Sequence, residues 1–308
     1  MKKITLIALA FASFGFYSCK KGCTDVEASN YDIDAKKDDG SCIYPVPEVI
    51  VPKLVIKLQF DSTQVRLDNF GNPATLPAGH SAQSPTFHSM SAHYIELAQD
   101  QWTQLGDGDI IYQGAETSVG GSPAVDFDQA IVKGNGETFL EIPLSSLTPD
   151  TYEWLRVSLT FQNYDIDYRA QGFDLSGRIS SFVGFNTYIT DHTIENETIS
   201  VNANKLQGFW AFETIGQVTQ GDAAATTVPN PISSTSPVPA GSCVVTGDFA
   251  TPLTITGNET EDIEMILSLS TNNSFEWSDD NQNGIYEPLD GDTVVDMGLR
   301  GLEPIIIQ

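Results

Sequence analysis

The sequence predicts a mainly β protein: an antiparallel two-sheet sandwich of jelly-roll or Ig-like topology, preceded by an export signal and a short disulfide-stapled tether. Three alternating runs carry that expectation. Leu54, Ile56, Leu58 and Phe60 alternate with Val55, Lys57 and Gln59, and Leu155, Val157, Leu159 and Phe161 alternate with Trp154, Arg156, Ser158 and Thr160. Ile263, Met265, Leu267 and Leu269 alternate with Glu264 and Ser268, broken only by Ile266. A period of two with one polar face describes antiparallel strands that bury one side and wet the other. Further β-branched or aromatic runs at 93–98, 109–113, 138–142, 179–189, 197–202, 208–215 and 243–246 are punctuated by Gly, Pro and Asn. There is neither a long amphipathic helix nor an internal repeat.

The chain opens with Lys2 and Lys3, an uncharged run, and Ser18-Cys19. A basic start, an apolar stretch too short to span a bilayer and a small residue before cysteine describe a lipoprotein signal, cut before Cys19. Phe16 and Tyr17 are bulkier than the usual residues before such a cysteine, so an ordinary signal peptide is the alternative. Residues 1–18 are therefore read as signal, 19–52 as lipid anchor, acidic module and tether, and 53–308 as the sandwich.

Cys23 and Cys42 flank a short acidic segment and are expected to pair, as an oxidising compartment permits. Cys243 is then left over, a small buried hydrophobe more than a nucleophile. Within the segment, Asp32, Asp34, Asp38 and Asp39 either share a calcium ion or stand as solvated carboxylates on turns. Pro45, Pro47 and Pro52 favour a stiff, extended spacer, and 221–242, with four prolines and many Ser, Thr and Ala, reads as a long surface loop.

Composition narrows the partners. The chain has 41 acidic and 15 basic residues and a formal net charge of −26, and loss of residues 1–18 would remove two lysines and no acid. Such a surface repels phosphate backbones, so nucleic acid is excluded as a partner. Sixteen Phe, ten Tyr and four Trp supply a large core, unlike a disordered acidic chain.

Two constellations point to metals. His80, His88, Met90 and His93 bring imidazole and thioether together, a donor set suited to copper. On an extended strand His88 and Met90 share a face, while His93 needs a bulge to join them. The Pro-, Gly- and Ser-rich segment 71–92 reads as a loop able to fold back, and scattered surface imidazoles are the alternative. The second runs from Asp279 to Asp290, with Asp279, Asn281 and Asn283 at loop positions 1, 3 and 5. Gly284 falls at position 6, the Ile285 carbonyl at 7, Glu287 at 9 and Asp290 at 12, an order that suits calcium. Asp in place of Glu at position 12 and the lack of flanking helices separate it from an EF-hand. An Asn-Gly hairpin between Trp277 and Val294 is the competing reading. Trp102, Trp154, Trp210 and Trp277 form either a sugar-stacking platform or core. There is no Gly-x-Ser-x-Gly elbow, His-Glu-x-x-His pair or phosphate-cradling glycine loop, and no carboxylate pair stands out for glycoside hydrolysis.

Residues 22–42, GCTDVEASNYDIDAKKDDGSC, resemble a short module of exported Bacteroidota proteins. SAHYIEL at 91–97, GFNTYI at 184–189, QGFWAFE at 207–213 and VDMGLRGL at 295–302 resemble a family of Bacteroidota lipoproteins without known activity. Leu54 to Leu97, an opening strand, a Gly-containing loop and a Tyr-bearing strand, is similar to the methanobactin-associated MbnP-like proteins. That similarity implies an exported β-protein, some of whose relatives are tied to copper, and carries over no ligand residue. The combined expectation is a non-enzymatic lipoprotein of the outer membrane, facing periplasm or cell surface. It would serve as a binding or accessory module for a protein or glycan and hold structural calcium. A copper-binding exported protein and a carbohydrate-binding or carbohydrate-active domain are the alternatives.

Overall fold

Strands make up 54% of the chain and helix 2%, which meets the expectation of a β-sandwich. The computed structural model describes residues 19–45, 50–68, 72–223, 234–239 and 241–307. The expected signal, residues 46–49 of the spacer and most of the loop at 224–233 lie outside the described residues. The chain divides into two compact units, Met1–Ile50 and Val51–Gln308.

In the first unit, β1 (Lys21–Gly22) and β2 (Lys37–Asp38) pair in parallel. The Cys23–Cys42 disulfide is formed, and Cys23 is buried while Cys19 is exposed with a free thiol. So small a segment cannot bury a core, and polar clamps take its place. Asn30 donates through Nδ2 to the Ser41 carbonyl at 2.6 Å and accepts the Ile43 amide on Oδ1 at 2.7 Å.

The second unit is built on one long strand. β10 (Asp150–Ala170) pairs along one edge with β5 (Thr86–Ala98). Its other edge is shared by β16 (Cys243–Ile255), on 150–159, and β11 (Phe173–Phe182), on 161–170. The Gln171-Gly172 turn between β10 and β11 has φ of 52° and 80°, the left-handed pair that a two-residue hairpin needs. Outward from β11 lie β14 (Phe209–Thr214) and β15 (Gln217–Asp222), and outward from β5 lies β6 (Asp109–Gln113). A second sheet runs β20 (Leu302–Ile307), β17 (Ile263–Ser270), β3 (Lys53–Asp61), β9 (Thr138–Pro143). Between the two sheets Leu54, Ile56 and Leu58 meet Met265 and Leu267, Ile95 and Leu97, and Leu155 and Val157. This is the main core.

Three features depart from the expected pattern. First, β3 and β17 are parallel, from Leu54 opposite Ile263 to Asp61 opposite Ser270. Parallel neighbours need a long crossover, and β4 to β16 all lie in the chain between these two strands. Second, the polar face of β10 is not in water. A third sheet, β13 (Thr198–Lys205), β12 (Thr187–Thr193), β8 (Ala124–Asp126), β7 (Glu116–Thr117), covers part of the outer face. There Ile189 and Ile199 pack on Phe161, Phe182 and Phe209. Arg156 is buried as well, its Nη2 on the Thr103 carbonyl at 2.6 Å and its Nη1 3.5 Å from buried Glu96. Third, irregularities in the β5–β10 ladder around Leu159–Phe161 shift the register by one residue, so Phe161 serves the outer core while Leu159 and Tyr164 serve the main one.

A small sheet completes the domain: β19 (Thr293–Met297), β18 (Phe275–Ser278), β4 (His80–Gln83). Its Phe275 and Trp277 reach the main core, and the loop joining β18 to β19 is the 279–292 segment. The segment read as a loop at 71–92 thus contains β4 and the start of β5, because pairing partners were available for it. β20 also escaped the alternation, since Pro304 interrupts it and its last three residues are all Ile.

Candidate functional site

The 279–292 loop is tied together by its own side chains. Asp279, 1% exposed, accepts the Ser81 hydroxyl at 2.7 Å and the Gly284 amide at 2.8 Å on Oδ2, and the Asn283 amide at 3.2 Å on Oδ1. Burial alone would raise its pKa, but these donors hold the carboxyl below the usual range. Gly284, at φ 75°, makes the sharp turn that lets the backbone fold over Asp279. Asn281 and Asn283 each donate Nδ2 to Glu287 Oε2, at 2.9 and 2.6 Å, and the Ile285 amide donates to Asn283 Oδ1 at 2.7 Å.

Of the calcium candidates, Asp279, Asn281, Asn283 and Glu287 come together, and Ile285 joins them through its amide. Asp290 does not take the expected place. It is exposed, and its amide, donating to the Glu287 carbonyl at 3.0 Å, is the part engaged. Buried Asp292 turns inward instead, its Oδ2 accepting the Glu287 amide at 2.7 Å. Burial raises the Asp292 pKa, and the charges of Asp279 and Glu287 raise it further. Three buried carboxylates therefore lie along one loop, near enough to influence one another's charge. Among the described residues the only cation paired with any of them is Arg169, whose Nη1 lies 3.9 Å from Glu287 Oε1. The signal for Asp292 was the Asp290-Gly291-Asp292 run, in which position counting selects the first carboxylate and the backbone turn selects the second.

The copper candidates do not converge. His80 Nδ1 is 2.5 Å from Glu276 Oε1, His88 Nε2 is 2.7 Å from Asp165 Oδ2, and His93 Nε2 is 3.0 Å from Glu116 Oε1. Each imidazole thus has its own carboxylate. Met90 is fully buried in the main core, whereas His93 faces Glu116 of the outer sheet and stacks on Phe185 at 5.6 Å. The cause is the ladder itself. β5 carries one extra residue at His88 and another at His93, and each bulge re-aims its side chain. Burial lowers the His93 pKa, against the pull of Glu116. Among the described residues no three His, Cys, Asp or Glu side chains form a ready-made metal cage.

The acidic module behaves differently from the loop. Asp32 Oδ1 accepts the Asp34 amide and pairs with Lys20, Asp38 Oδ1 accepts the Gly40 amide, and Asp39 Oδ1 accepts the Ser41 amide, each amide at 3.0 Å. These carboxylates stabilise turns in water. The four tryptophans are not exposed together: Trp102 is 82% exposed, Trp154 is half-buried, Trp277 is 1% exposed, and Trp210 packs on the main core. Cys243 also packs on that core, and burial pushes its thiol up to about 12, which leaves it protonated and a poor nucleophile.

No family model, curated protein or solved structure matches this chain.

Proposed function

We propose that the protein is a non-enzymatic, lipid-anchored binding or accessory module of the outer membrane, whose 279–292 loop takes a structural calcium ion. The observation behind the calcium reading is the excess of negative charge at Asp279, Glu287 and Asp292, opposed by Arg169 alone among the described residues. A hard divalent cation suits such an all-oxygen set and relieves the repulsion. Asn281 and Asn283 would supply further oxygens by turning their amides. The anchoring reading rests on Lys2, Lys3 and Ser18-Cys19, and on an exposed Cys19 thiol. The non-enzymatic reading rests on the pairing of His80, His88 and His93 with three separate carboxylates, on the contact of buried His192 with the Ser180 hydroxyl at 2.6 Å, and on the protonated Cys243.

Calorimetric titration of the full chain with calcium after chelator treatment tests the loop. One equivalent should bind with Kd between about 10⁻⁴ and 10⁻³ M, the range of extracellular modules, and be lost in Asp279→Ala. No heat of binding at millimolar calcium would refute the reading.

A further inference from the structure

We propose that a cleft beside the 279–292 loop binds a neutral polyhydroxylated ligand, a short oligosaccharide. The cleft has a volume of about 630 Å³, within the usual size of small-ligand sites. One wall is the Gly284–Tyr286 segment of the loop, and the opposite wall is the β10–β11 hairpin around Arg169 and Asp174. The walls are fixed to each other, since the Arg169 amide donates to the Tyr286 carbonyl at 2.8 Å. Gln83 braces the β10 side, donating to the Asp167 carbonyl and accepting the Asp167 amide, both at 2.8 Å.

The decisive group is Trp277. It lines the cleft and is 1% exposed, yet its indole Nε1–H has no acceptor among the described residues. A buried donor without an acceptor is unfavourable, and a ligand oxygen would relieve it. The other lining groups define that ligand. Asp174 Oδ1 accepts from Arg169 Nε at 2.7 Å, which occupies much of the only positive charge on the cleft. An anionic ligand would meet the Asp167 and Asp174 carboxylates, and a cationic one would meet Arg169. Hydroxyl groups fit both, donating to Asp174 while accepting from Trp277 and Ser176. Tyr286 and Ile285 offer an apolar flank to the C–H face of a sugar ring. This proposal stands on the cleft and does not depend on the loop holding calcium.

The test is calorimetric titration of the full chain with cellotriose, xylotriose, mannotriose, maltotriose and chitotriose. At least one should bind with a Kd below about 1 mM. Trp277→Phe, which keeps an aromatic ring and removes the N–H, should weaken it roughly tenfold. Asp174→Ala should weaken it as well, and because that side chain is 78% exposed the variant keeps the test open if Trp277→Phe fails to fold. Trp102→Ala, outside the cleft, should leave the affinity unchanged. Absence of binding to all five sugars at about 10 mM overturns the proposal. So does binding that the folded Trp277→Phe and Asp174→Ala proteins retain in full.

Discussion

Two segments of this protein carry clusters of Asp with Asn and Gly and have opposite fates. In the disulfide-stapled segment between Cys23 and Cys42, Asp25, Asp32, Asp38 and Asp39 lie at the surface and each accepts a nearby backbone amide. In the segment between β18 and β19, Asp279, Glu287 and Asp292 are buried and influence one another's protonation. The difference is what lies beneath. The first segment covers no core, whereas the second is fastened at Trp277 and Tyr286 to the main core of the sandwich. Carboxylate density alone does not make a site; burial that forbids each carboxylate its own water does.

The sharpest way to break this comparison is Asp279→Ala. It orphans the Ser81, Gly284 and Asn283 donors, at a cost of about 1–3 kcal/mol. It should also abolish the calcium-dependent stabilisation, about 2.7 kcal/mol at a hundredfold excess over Kd. Thermal melting with and without calcium measures both, and equal calcium shifts in wild type and variant would end the distinction.

Opening the staple by Cys42→Ser comes next. Closing a loop with a sequence separation of 19 residues is worth about 3 kcal/mol to the stapled segment. Limited proteolysis should then cut within 23–42 while calcium binding at the 279–292 loop is retained. Parallel loss of calcium binding would contradict the separation of the two segments.

Acidification separates the segments by sign. The folded-state pKa of Asp292 is raised above its ordinary 3.8, so without calcium its contribution to stability is greatest at low pH and falls as pH rises from 3.8 through the raised value. Asp32 and Asp39 are held below 3.8 chiefly by hydrogen bonds, from Lys20 and Ser41 respectively. Their contribution is present above that pH and is lost as pH falls below it. Calcium competes with the Asp292 proton, so its affinity should weaken as pH drops through the raised value. Titrations between neutral pH and pH 4 measure this, and a pH-independent Kd would remove Asp292 from the site. The smallest effect is expected of Asp38→Asn with Asp39→Asn, which should leave calcium stoichiometry at the other loop unchanged.

Much of this architecture was legible along the chain. β3, β10 and β17 announce themselves by alternation, and Cys23 and Cys42 by their position around a segment too small for a core. Short strands such as β4 and β7 carry too few residues to show a period and exist because a neighbour offers hydrogen bonds. β20 hides its alternation behind Pro304. The histidines illustrate the limit most clearly. Counting residues put His88 and Met90 on one face, but bulges in β5 send His88 to Asp165 and His93 to Glu116 while Met90 stays in the core.

The amino-acid sequence by itself therefore determined the β class, the pairing of Cys23 with Cys42 and the sharp turn at Gly284, because these follow from local periodicity, proximity and backbone freedom. Only the tertiary structure decided that β3 runs parallel to β17 and that a third sheet covers Phe161. It also decided that Asp292 rather than Asp290 turns inward and that the Trp277 N–H finds no acceptor among the described residues beside a cleft. Those outcomes depend on which distant residues exclude water from a group, and no spacing along the chain records that.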